Sequence, residues 1–211
     1  ERALAVARRI RTGTISVNSL VGSGNMPGVA TMKKVDSTTV ENAGGANILG
    51  NPPVKVDTTT IDPLPFLSEY KSSADFSYNT AGTYGGNTTW GTSLNPAIVY
   101  CNAGNDTNFS IKFSGNVTGY GILVVRGNVQ FNGTFDFYGL VVVDGFNTVV
   151  QFGASGTPQI VGGVIVAGNN GASVTLKGTG NTGKVKYSED ALAKARKINK
   201  LRYYSIIEWY E

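Results

Sequence analysis

IKFSGNVTGYGILVVRGN, residues 111–128, runs directly into VQFNGTFDFYGLVVVDGF, residues 129–146, and the two lines superpose without a gap. Ile111 falls on Val129, Phe113 on Phe131, Gly115 on Gly133, Tyr120 on Tyr138 and Gly121 on Gly139, and the apolar runs Ile122–Val125 and Leu140–Val143 coincide, all at a spacing of 18. A looser third copy holds Phe152, Ile160 and GGVIVAG at 162–168 with a few residues inserted, and ASVTLKG at 172–178 begins a fourth. A fixed period of about 20 residues, with Gly at recurring corners and short β-branched runs between them, predicts a mainly β fold of the parallel β-helix (β-solenoid) type. The physical reason is that one coil leaves its strand N–H and C=O groups unpaired and its apolar face wet. A second coil laid about 4.8 Å above satisfies both at once as a parallel ladder.

Stacking places residues one period apart over one another. The ladder set is Ile111, Phe113, Tyr120, Ile122, Val124 and Arg126 against Val129, Phe131, Tyr138, Leu140, Val142 and Asp144. Arg126 above Asp144 is an opposite-charge pair in register, of a kind that contributes about 0–1 kcal/mol when exposed. Tyr120 and Tyr138 form a short aromatic stack by the same logic. Both pairs read as structural ladder residues before they read as a binding site.

Four regions follow. Residues 1–21 read as a short basic helix, ERALAVARRIR, and a strand, TGTISVN. Residues 22–95, rich in Gly, Pro, Asn, Ser and Thr, read as a connector in which TMKKV, TTVENA and ANILG are short strand candidates and early coils. Residues 96–187 carry the solenoid. In 188–211, Ser188 is the N-cap of a helix with Glu189 and Asp190 in its first turn and Ala191, Leu192, Ala195 and Ile198 on one stripe. RYYSIIEWYE, 202–211, reads as a strand, and this helix and strand are expected to cap the open end of the stack.

Composition narrows the chemistry. Charged residues are 15% of the chain and Gly numbers 28, which suits tight turns and short strands over a helical bundle. His is absent, removing the commonest general base and the commonest transition-metal ligand. The single cysteine, Cys101, allows no intrachain disulfide and reads as a small apolar residue. No catalytic residue, cofactor or metal is expected. Asp106 in GNDTN reads as an Asx-rich turn in preference to a calcium loop, having one carboxylate. GTGNTG at 178–183 lacks the Lys-Ser/Thr ending of a phosphate loop. Asp136 and Asp144 share a coil, so a carbohydrate-active β-helix enzyme stays open as an alternative, although Asp144 is more simply the partner of Arg126.

The net charge of +4 sits at the ends. Residues 1–11 carry four Arg against Glu1, or +3; residues 184–202 carry seven Lys and Arg against Glu189 and Asp190, or +5; residues 96–183 sum to zero. A nucleic-acid stripe along the middle is therefore unsupported, and Lys194, Arg196, Lys197, Lys200 and Arg202 are the candidate anion or partner contacts. No apolar run reaches 18 residues, so any membrane or export segment is expected upstream of Glu1.

SGNVTGYGILVVRGNVQFNGTFDFYGLVVVDG, together with VKYSEDALAKARKINKLRYYSIIEWYE, resembles the C-terminal β-solenoid region of PilX-type pilus-assembly proteins, which are minor pilins. The GNVxGxGxLVVxG pattern is also similar to bactofilin-like polymer-forming domains. The resemblance spans about residues 45–211 through Gly115, Gly121, Gly127, Gly133, Gly139 and Gly145 and the tail residues Tyr187, Ser188, Leu192 and Trp209. It implies a bacterial, extracellular or cell-surface protein, whose solenoid is displayed from a filament and contacts other pilin-like subunits or a surface ligand. A related tip pilin implicated in DNA uptake supplies a DNA-binding alternative. ERALAVARRIRTGTISVN is separately similar to a segment near the C-terminal end of aldehyde dehydrogenases, but nothing downstream carries that family's catalytic Cys, Glu base or dinucleotide site. The expectation is a non-enzymatic structural or adhesive protein.

Overall fold

The structure, a computed structural model, describes residues 4–6, 10–16, 20–21, 26–31, 33–44, 48–58, 67–104, 111–145, 148–153, 156–168, 172–176 and 183–198. Within them the chain is mainly β, and every strand pairing is parallel. Three ladders organise it, in the order β1 (Leu4–Val6), β2 (Ile10–Ser16), β3 (Leu20–Val21), β4 (Val29–Thr31), β5 (Ile48–Leu49), β6 (Val54–Val56), β7 (Phe76–Tyr78), β8 (Gly82–Trp90), β9 (Ala97–Asn102), β10 (Ile111–Arg126), β11 (Val129–Phe131), β12 (Thr134–Gly145), β13 (Thr148–Phe152), β14 (Gln159–Gly168), β15 (Ala172–Leu176) and β16 (Lys184–Tyr187). Three helices intervene: α1 (Lys34–Gly44), α2 (Leu67–Ser72) and α3 (Glu189–Ala195).

The first ladder runs from the start of β8 through β10, β11, β13 and β15 to β2. The second runs from the end of β8 through the middle of β10, β12, β14 and β16 to β3 and β5. The third runs from β7 through β9, the end of β10, β12 and β14 to β1, β4 and β6. Ile111 pairs with Val129, Phe113 with Phe131, Ile122 with Leu140 and Arg126 with Asp144, an offset of 18 in every case. The third copy adds its inserted residues and stays in register, with Phe131 on Phe152 and Phe137 on Ile160.

Alternation along each strand sends one set of side chains inward. Phe113, Phe131, Phe135, Phe137, Phe152 and Trp90 are fully buried there, with Phe113 stacked on Phe131 at 5.7 Å and Trp90 edge-on to Phe113 at 5.2 Å. Each such ring contributes about 1.5–3 kcal/mol relative to exposure. Room for them is made by Gly119, paired with both Trp90 and Phe137, where a Cβ would lie 2.5 Å from the Phe137 ring. A second glycine column marks the corner between the second and third ladders. Gly121, Gly139 and Gly162 take φ of 125°, 142° and 142°, and a Cβ on Gly139 would lie 2.0 Å from the Gly121 carbonyl oxygen.

The runs ILVV and LVVV have a different cause. Successive strand residues face opposite ways, so four apolar residues in a row require cover on both faces. Leu123, Val125, Val141 and Val143 point to the inner core, while Ile122, Val124 and Val142 join Ile98 and Tyr100 in an outer cluster closed by Leu67 of α2, Ala195 of α3 and Ile198.

Three expectations are corrected. Residues 4–6 and 10–11 are strand where a basic helix was expected, because β1 fills the place beside β14 that the chain vacates when β16 gives way to α3, while β2 runs on through residues 12–16 of the expected strand TGTISVN. Pairing on both edges, Leu4 with Val164 and with Val29, outweighs the helix propensity of Ala, Leu and Arg. TTVENA lies in α1 rather than a strand: Val40 is fully buried in the inner core, and the Thr38 and Thr39 hydroxyls donate to the carbonyls of Lys34 and Val35 four residues back. Helix α3 does not cap an end; it packs on the outer face across β10, β12 and β14. Its Ser188 N-cap accepts from the Ala191 N–H, and the strand expected at 202–211 lies outside the described residues.

Candidate functional site

Tyr120 and Tyr138 stand on the outward side of the second ladder, one residue before the glycine corner. The register sets their rings parallel, 4.8 Å apart and 12° from coplanar. Elsewhere in the stack, outward pairs satisfy one another through polar groups: Asn116 donates to Asn87 at 3.1 Å, and Gln130 to Gln151 at 3.4 Å. The tyrosines meet through their rings, and among the described residues neither hydroxyl has a hydrogen-bond partner. Burial, helped by Asp136 and Tyr120, pushes the Tyr138 phenol above its ordinary value, so its hydroxyl is a neutral donor and acceptor at neutral pH.

Two further segments close around this pair. Between β8 and β9 the chain makes a turn in which Asn95 donates its N–H to the Thr92 hydroxyl at 3.0 Å and Thr92 donates its N–H to the Asn95 carbonyl at 2.9 Å. From the other side comes α3, where Lys194 donates to Asp190 at 2.7 Å across one helical turn. The result is an open cleft of about 220 Å³ lined by Thr92, Ser93, Tyr120, Tyr138, Asp190 and Lys194, among others. Leu94, at the tip of the turn, is 89% exposed.

The residues singled out by sequence are distributed differently. Ile111, Phe113, Val129 and Phe131 lie in the inner core; Ile122, Val124, Leu140 and Val142 lie in the outer cluster. Arg126 Nε is 3.5 Å from an oxygen of Asp144, whose side chain is 1% exposed. Asp136 accepts from the Gln159 amide at 2.7 Å. Neither carboxylate lines the cleft. Of the basic residues, Lys194 is held by Asp190 and Arg196 Nη1 is 3.4 Å from Glu189, while Lys197 is exposed. Lys200, Arg202, Asp106 and most of GTGNTG lie outside the described residues.

Cys101 points into the inner core, where burial pushes its thiol up and leaves it protonated. Among the described residues no three His, Cys, Asp or Glu side chains group to hold a metal, and no helix is long and apolar enough to cross a membrane. Sequence reasoning missed the cleft because its walls come from residues 92–96, the tyrosine pair and residues 188–194. No local pattern links those segments. The chain finds no match among protein-family models, curated proteins or solved structures.

Proposed function

We propose that the chain is a β-solenoid that serves as a non-enzymatic binding or structural module, displayed at a bacterial cell surface on a pilus-like assembly in the manner of PilX-type minor pilins. The observation that carries the solenoid reading is the order of pairing: β8 and β9, then β10, then β11 and β12, then β13 and β14 visit the ladders in turn and meet their predecessors in parallel register. A stack wound this way is rigid along its axis and presents its lateral surface to partners. The non-enzymatic reading is supported by the surroundings of the two carboxylates that the sequence offered for hydrolysis, since Asp136 is engaged by Gln159, Asp144 by Arg126, and neither lines the cleft. The display reading rests on the resemblance of the repeat and of the Tyr187–Ser188 helix start.

Two measurements test this. In intact cells of the source bacterium, a tagged chain should be accessible to antibody and recovered with sheared filaments; recovery only from a protease-shielded cell interior would overturn display. Release of reducing ends from a polysaccharide panel, abolished by Asp136→Asn or Asp144→Asn, would overturn the non-enzymatic reading.

A further inference from the structure

We infer that the cleft over Tyr120 and Tyr138 is a recognition site for one ring of a neutral, hydroxyl-rich saccharide. The inference rests on reading the chain as a binding module, and names the ligand class for it.

Four observations converge. The cleft, at about 220 Å³, is smaller than pockets that enclose drug-sized ligands and suits a single ring left open at one side, as a unit within a longer glycan requires. Its wall is a paired aromatic surface held in place by strand register, so ordering it costs little on binding. An apolar ring carrying a hydroxyl complements a sugar, whose C–H faces are apolar and whose rim is polar.

Around that wall stand groups of every hydrogen-bonding type. The tyrosine, Thr92 and Ser93 hydroxyls both donate and accept, Asp190 only accepts and Lys194 only donates. Finally, Asp190 and Lys194 neutralise one another at 2.7 Å. A cation would be repelled by Lys194 and an anion by Asp190, whereas a polyol uses both without disturbing the pair.

The test uses the full chain and observes saturable binding of glucose, galactose, N-acetylglucosamine and their β-linked disaccharides by calorimetry and saturation-transfer NMR, with glucuronic acid as the charged arm. At least one neutral sugar is expected to bind more tightly than glucuronic acid. Tyr138→Ala should weaken that binding about tenfold, as for other ring-on-aromatic stacking contacts, and Tyr138→Phe, which keeps the ring, should weaken it less. Circular dichroism and thermal melting confirm that each variant is folded. Absence of saturable binding to every neutral sugar would overturn the inference and leave the module reading standing; so would undiminished binding in folded Tyr120→Ala and Tyr138→Ala. Cleavage of a bound disaccharide would support the site and overturn the non-enzymatic reading instead.

Discussion

β10 to β12 and β1 to β6 contribute to the same ladders, yet only the first of these regions carries a repeat. In β10 and β12, Tyr120 meets Tyr138 and Val124 meets Val142, like over like, because the repeats 111–128 and 129–146 have the same length and corners. In the N-terminal region the paired stretches are two or three residues long, Leu20–Val21 on Ile48–Leu49 and Val29–Thr31 on Val54–Val56, with α1 inserted between them. Pairing needs only a few backbone groups in register, whereas a visible period also needs equal connections. A ladder can therefore outlast its sequence signature.

The sharpest way to break the periodic region is Gly139→Ala. The added Cβ would lie 2.0 Å from the Gly121 carbonyl oxygen at a φ of 142°. A loss above about 4 kcal/mol is expected, or failure to fold, read by urea denaturation. Val40→Ala probes the aperiodic end, where α1 lays one fully buried side chain over the inner core. The expected loss is about 1–3 kcal/mol, and a cost equal to that of Gly139→Ala would erase the contrast between the regions.

A smaller effect tests register alone. Arg126→Ala leaves Asp144 buried without its cation and should cost about 1–2 kcal/mol, whereas the exchange Arg126→Asp with Asp144→Arg should recover part of it in a double-mutant cycle. Additive losses in the exchange would mean that the two side chains are not coupled.

The features legible in sequence are those where one residue type answers one geometric demand. Gly121 and Gly139 sit at a corner that excludes Cβ, and Phe113 and Phe131 repeat because paired positions of β10 and β11 face the same buried core. The double-sided cover of Ile122–Val125 was encoded too, in a run without alternation, but nothing there named α2 and α3 as the cover. The stripe Ala191, Leu192, Ala195 and Ile198 likewise shows that α3 is covered on one side, not that it lies along the stack instead of across its end. ERALAVARRI has the composition of a helix, and only the vacancy beside Val164 makes Leu4–Val6 a strand. The Tyr120–Tyr138 stack was readable from the period; Thr92, Asp190 and Lys194 as its neighbours were not, since tertiary folding alone brings them together.

In-register stacking is tested most directly by disulfide trapping in the outward column Lys112, Gln130 and Gln151, built pairwise as cysteines in a Cys101→Ala background. Neighbouring rungs about 4.8 Å apart fall within disulfide range, and positions two rungs apart do not. The 112–130 and 130–151 pairs should close under mild oxidation while 112–151 stays reduced. Closure of 112–151, or failure of both adjacent pairs, would contradict the stack.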